Sequence, residues 1–248
     1  MSHSPGAGSP GRAVVAMAAL GAVGLLVGVL IGSVAFALVG TPLSIPSDAP
    51  SGQLLFTLAM YLGVAAVGGL YLLRYDLPLS YVRADRPTLR DAGVTAATIA
   101  VLLALAVALP VLIGRLGLPL TDHSVTDSVR ANPAVALVFL PLSVLVVGPA
   151  EEFLYRGIIQ TRLKSAFDTP SAVAVAAVIF AVVHFIAYLD PANIPGTIVT
   201  IFLLLLPLGA VLGVVYEYTD NLVVPALAHG LYNAITFGLT YAEVVGGF

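Results

Sequence analysis

The sequence predicts an all-α fold, a polytopic transmembrane helix bundle of about seven spans with an active site in a cavity between the C-terminal helices. Three observations carry that reading. The chain is 59% hydrophobic and only 9% charged over 248 residues, with a mean hydropathy of +1.05, whereas soluble domains carry about 25% charged residues. Its apolar stretches approach the roughly 20 residues that a helix needs to cross a bilayer. Proline and N-capping Asp, Asn, Ser or Thr punctuate the gaps between them. Such a composition leaves no room for a separate soluble domain. With no cysteine and a net charge of −3, it also excludes a disulfide framework, thiolate metal sites and a cysteine nucleophile. No basic run offers a nucleic-acid surface.

Taken in order, residues 1–12 are rich in Ser, Gly and Pro and predict a disordered tail. The spans predicted next are 13–39, 54–73, 92–113, 134–155, 172–189, 197–216 and 222–241, with six to eight compatible with the hydropathy and boundaries good to a few residues. The first is too long for a signal-peptide core of about 7–15 residues and is expected to be retained. Pro42, Pro46, Pro119, Pro133, Pro170, Pro191 and Pro195 lie in the breaks, while Pro110, Pro141, Pro207 and Pro225 fall inside spans or near their ends. A bilayer helix accommodates such a kink where neighbours satisfy the freed carbonyl. Arg12, Arg74, Arg83, Arg86, Arg90, Arg156, Arg162 and Lys164 fall at one set of span ends, against Arg115 and Arg130 at the other. The positive-inside rule then predicts a multi-pass cell-membrane protein with a cytoplasmic N-terminus.

Two of the four glutamates, Glu151 and Glu152, are adjacent and follow an apolar run. A carboxylate at bilayer depth is unfavourable by roughly 2.5–3.5 kcal/mol on insertion scales, and such groups face a cavity or a partner. Glu152 and Arg156 are four apart and share a helical face. Glu151 is rotated by about 100° and is left available. A structural ion pair explains Glu152 and Arg156 but not Glu151. His184 and His229 lie in apolar stretches, while His3 is in the tail and His123 in a polar loop. Phe180 stands four residues before His184, as His229 stands four before Asn233; Phe180 reads as packing, and Asn233 as either a bundle hydrogen bond or a site residue.

A carboxylate can act as general base on water with a histidine steering the proton. A second histidine and an amide can donate to a developing oxyanion where water is excluded. Together they suit amide hydrolysis by activated water, with no cofactor. Glu151, His184 and His229 are also a zinc-type ligand set, which makes a divalent metal such as zinc the alternative, although the H-E-x-x-H spacing is missing. No nucleophile-elbow serine is present, and all nine aspartates fall in predicted loops or at span ends. A proton-coupled transporter would spread polar groups through several helices and show repeat symmetry, whereas the first three spans are nearly free of charge.

Glu151-Glu152-Phe-Leu-Tyr-Arg156, Phe180-Ala-Val-Val-His184 and His229-Gly-Leu-Tyr-Asn233 occur in that order. They resemble the EExxxR, FxxxH and HxxxN elements of the CPBP family of intramembrane proteases, which includes type II CAAX prenyl endopeptidases and bacteriocin-immunity proteins. The resemblance implies that Glu151 and His184 activate the catalytic water, that His229 and Asn233 form the oxyanion site, and that Glu152 and Arg156 support the geometry. It further implies variable spans over 13–132, a catalytic bundle over 133–248, and a cavity open to the cytoplasmic half and partly to lipid. The partners would be membrane lipid and a membrane-anchored protein or peptide, CAAX-like and prenylated in some relatives. A non-catalytic scaffold or immunity protein of the same family is the competing reading.

Overall fold

A computed structural model describes residues 9–247, so that residues 1–8, including His3, lie outside the described part. The described chain is all-helical. Six helices are long and apolar enough to cross a membrane: α1 (Pro10–Gly40), α2 (Pro50–Arg74), α3 (Leu89–Arg115), α5 (Pro133–Leu163), α6 (Thr169–Tyr188) and α7 (Ile194–Thr219). The short α4 (Ser124–Ala131) lies between α3 and α5. The seventh long helix, α8 (Val223–Gly246), carries His229 and Asn233, whose polarity dilutes its apolar character.

The residues read as breaks become caps. Pro10 and Pro50 open their helices, where the missing N–H is no loss. Thr88 and Asp91 form a reciprocal capping box on α3. Asp168 accepts from the Ser171 N–H at 3.0 Å to start α6, and Asn193 from the Gly196 N–H at 3.0 Å to start α7. One predicted loop differs: residues 124–131 form α4, because the His123 ring accepts from the Val125 N–H at 3.0 Å and caps it.

The helices alternate in direction, and contacts between their ends define two faces. At one, Arg83 meets Glu217 and Asp220, Lys164 meets Glu217, and the Leu222 N–H bonds the Arg83 carbonyl. At the other, Asn132 donates to the Asp48 carbonyl, Asn193 to the Leu120 carbonyl, and the Thr121 N–H to Thr200. Arg12, Arg74, Arg83, Arg86, Arg90, Arg162 and Lys164 belong to the first face, and Arg115 and Arg130 to the second. Leu26, Leu70, Val107, Leu145 and Leu239 point outward as an apolar coat.

Inside, α5 is the hub. Leu154, Ile158, Ile159 and Leu163 are fully buried against Ala172, Ala176 and Phe180 of α6 and Tyr216 of α7. Helices α1 and α2 cross on glycine: a Cβ on Gly63 would stand 2.9 Å from the Gly28 Cα, and one on Gly28 2.8 Å from the Met60 carbonyl. Small residues allow this approach between membrane helices.

The predicted end of the fourth span at 155 is too early. The helix runs to Leu163, because Arg156, read as a charge at the span end, is buried and paired within the bundle, where the Gln160 amide nitrogen likewise donates to the Gly213 carbonyl. Glu151 therefore sits near mid-helix rather than at an end. Two wide (π) turns, Ser143–Val147 and Phe153–Gln160, bracket the glutamates. The first precedes Pro149, which has no N–H to return to the Leu145 carbonyl; a similar turn, Thr200–Leu205, precedes Pro207 in α7. Such turns re-aim the following side chains and concentrate at functional sites.

Candidate active site

Four of the predicted residues line one cavity of about 580 Å³: Glu151, His184, His229 and Asn233, with Phe180 in its wall. Glu152 and Arg156 lie behind that wall, buried. The α5 backbone turns the two carboxylates about 100° apart. Glu151 faces the cavity, while Glu152 faces the protein.

Three groups surround Glu151. The Tyr61 hydroxyl of α2 donates to its Oε1 at 2.6 Å. His184 Nε2 stands 3.4 Å and His229 Nε2 3.8 Å from its Oε2. Each imidazole is oriented by its other nitrogen. His184 Nδ1 lies 2.7 Å from the Phe180 carbonyl, which only accepts, so Nδ1 carries the proton. His229 Nδ1 lies 2.8 Å from Glu152 Oε1 and donates to that carboxylate. Both Nε2 atoms therefore turn to one point beside Glu151 Oε2.

Glu152 Oε1 also accepts from Arg156 Nη1 at 2.7 Å, and Arg156 Nη2 donates to the Gly209 carbonyl at 2.9 Å. The guanidinium lies 4.5 Å from the Phe180 ring centroid, and that ring stands 4.2 Å from His184 and 6.0 Å from His229. Phe180 thus packs against both the cation and an imidazole. Gly209 makes room for it, since a Cβ there would stand 3.1 Å from Phe180 Cδ1. The Asn233 amide lines the cavity with no protein partner among the described residues.

The sequence reading missed three things. It left Glu151 free, whereas Tyr61 bonds it; nothing in the α2 sequence separates Tyr61 from an ordinary membrane tyrosine. It paired Glu152 with Arg156 but not with His229, a contact between helices that only the packing of α5 on α8 creates. It placed His123 in a polar loop, whereas the ring packs 4.9 Å from Tyr188 and 6.0 Å from Phe237 and lines the cavity. Burial there lowers its pKa to about 4.

The cavity lies toward the arginine-poor end of the bundle. Thr121, Asp122, His123, Ser124 and Gln53 of the arginine-poor face line it. Residues 65–101, 156–179 and 213–228, which build the arginine-rich end, contribute none. An opening to the cytoplasmic half and an arginine-rich cytoplasmic face therefore exclude each other in this fold.

Among the described residues, no group of three His, Asp or Glu side chains has the geometry of a metal site. The donor chemistry of Glu151, His184 and His229 would suit zinc, but their spacing is set by protein partners.

Residues 133–235 match the family described as "Type II CAAX prenyl endopeptidase Rce1-like". Over those residues the chain resembles that family. The matched segment holds all seven residues singled out in the sequence, and Tyr61 and His123 lie outside it. The "Uncharacterized protein YpbD" of Bacillus subtilis (strain 168) is 32% identical over 99 residues, 40% of this chain. The alignment spans 42% of that relative's length. No solved structure matches.

Proposed function

We propose that this chain is an intramembrane endopeptidase that hydrolyses a peptide bond of a membrane-associated substrate by water activated at Glu151. The observation that carries the reading is the convergence of Glu151 Oε2, His184 Nε2 and His229 Nε2 on one wall of a largely apolar cavity. The Rce1-like match over 133–235 supports the reaction class, and CAAX-like prenylated peptides are the first substrates to try.

In this mechanism a water between Glu151 and the scissile carbonyl gives its proton to Glu151 as its oxygen attacks the carbonyl carbon. His184 Nε2 steers that proton, its Nδ1–H anchored on Phe180. The tetrahedral oxyanion takes hydrogen bonds from His229 Nε2–H and the Asn233 amide. Donation from Nε2 while Nδ1–H serves Glu152 needs a doubly protonated ring. Two carboxylates against the Arg156 guanidinium leave one negative charge for that imidazolium to balance. Collapse of the intermediate breaks the C–N bond, and the proton held at Glu151 and His184 passes to the leaving amine. The new carboxyl carries the water oxygen, and no covalent enzyme intermediate forms.

No step needs a metal. If one is required, Glu151, His184 and His229 would be the donors to hold it, and it would polarise the carbonyl or the water. The site would then act in a multi-pass protein of the cell membrane, N-terminus cytoplasmic, with lipid and a membrane-anchored peptide as partners. The test is cleavage of prenylated and unprenylated anchored peptides by the purified chain in lipid, with and without a strong chelator. Internal scission that survives the chelator supports the reading. Scission stopped by it makes the three residues ligands, and no scission of any anchored peptide contradicts the hydrolase.

A further inference from the structure

We propose that the cavity opens away from the cytoplasm, so that a substrate reaches Glu151 from the extracytoplasmic side, through a polar mouth formed by residues 121–126. Two independent observations meet here. Seven basic residues mark one face of the bundle and two the other, while Arg156 is buried in mid-helix and marks neither. Lys and Arg bias sets orientation in membranes, and Asp and Glu contribute little to it. The arginine-rich face is therefore the cytoplasmic one.

The cavity runs to the opposite face. At its outer end Asp122 is 55% exposed, whereas at its inner end the Glu151 side chain is 9% exposed. Ser124 is exposed beside Asp122, and Asp122 pairs with Arg130. Along that face α4 packs on α8 and the start of α5, and its cap residue, His123, lines the cavity. Between mouth and floor the walls are apolar, from Phe56, Met60, Val64, Leu204 and Leu208.

That gradient suits a peptide with a hydrophobic or lipid-bearing segment seated on the walls and a polar end at the mouth. A chain presented only in the cytoplasm would have to pass the packed core around Leu154, Ile158 and Tyr216. The substrate class implied is thus an exported or membrane-anchored peptide with its scissile bond on the outer side, which deepens the hydrolytic reading proposed above.

The chain has no cysteine, so single introduced cysteines are unique reporters. In intact cells, Ser124→Cys should react with a membrane-impermeant maleimide, while Arg86→Cys on the exposed arginine-rich loop should react only after permeabilisation. Thr126→Cys is the second mouth position should Ser124→Cys fail to insert. Labelling of Arg86→Cys from outside, with the mouth position protected, overturns the proposal. In purified protein, attaching a bulky maleimide at the mouth cysteine should abolish cleavage relative to the same variant unlabelled, and attaching it at Arg86→Cys should leave its rate unchanged. Cleavage that persists with the mouth blocked overturns the route. Should no variant cleave before labelling, the hydrolytic reading fails, while the labelling pattern still decides which side the mouth faces.

Discussion

Glu152 accepts two hydrogen bonds at one oxygen, from Arg156 at 2.7 Å and from His229 at 2.8 Å. Removing one partner of such a buried pair leaves an uncompensated charge. Arg156→Ala is therefore expected to destabilise the bundle by about 3–5 kcal/mol, read as a fall in thermal midpoint in detergent; an unchanged midpoint would refute the pairing. Tyr61→Phe keeps the ring and removes the donor to Glu151. A hydrogen bond to a charged group contributes about 1.5–3 kcal/mol, so cleavage should slow by roughly tenfold or more at an unchanged fold. Equal rates would show Tyr61 to be mere lining. At this level the clustering of Glu151, Glu152, Arg156, His184 and His229 was legible, because hydrocarbon rejects ionisable groups and their spacing on helices is fixed, while Asn233 stood open between a bundle hydrogen bond and a site residue. Tyr61 was not, because a tyrosine in a membrane helix is common and its hydroxyl gains meaning only when α2 packs on α5.

Helix ends and wide turns do the positioning. Pro149 goes unremarked when spans are read by hydropathy, yet it sits between the Ser143–Val147 turn and Glu151. The span end at 155 was misread for the related reason that Arg156 looks like flanking charge until its buried partners are known. The α1–α2 crossing rests on Gly28 and Gly63. Gly28→Ala would place a Cβ 2.8 Å from the Met60 carbonyl, and overpacking of this kind destabilises by about 1–3 kcal/mol. A lowered thermal midpoint is expected, and an unchanged one would mean the helices are free to separate. His123 supplies the pH dependence. Burial depresses its folded pKa to about 4, below its ordinary value of about 6.5. The folded state then binds fewer protons than the unfolded state between those values. Stability is fully present above about pH 6.5 and is lost as pH falls toward about 4. His123→Asn, which can still cap α4 but does not titrate, should flatten that acid-side decline in thermal midpoint; an identical decline would assign it to other groups.

The whole bundle is asymmetric. One end is closed by a polar lattice in which Glu217 accepts from Arg83 at 3.2 Å, Lys164 at 2.5 Å and Gln160 at 3.0 Å, while Tyr216 donates to the Val82 carbonyl. Partial burial opposes the Arg83 charge, but Asp220 and Glu217 outweigh it and raise the Arg83 pKa. The other end holds the cavity mouth. Hydropathy gave the helical bundle and the count of spans to within one. It could not give the depth of the site or the direction of its opening, since both depend on how far α5 continues and on which loop folds back over the cavity. The central claim, that Glu151 activates water, is most directly tested by comparing wild type with Glu151→Gln in the same lipid preparation. Cleavage of an anchored peptide should fall by about 10²–10⁴-fold with the thermal midpoint of a folded protein retained. Turnover by Glu151→Gln at the wild-type rate would contradict it.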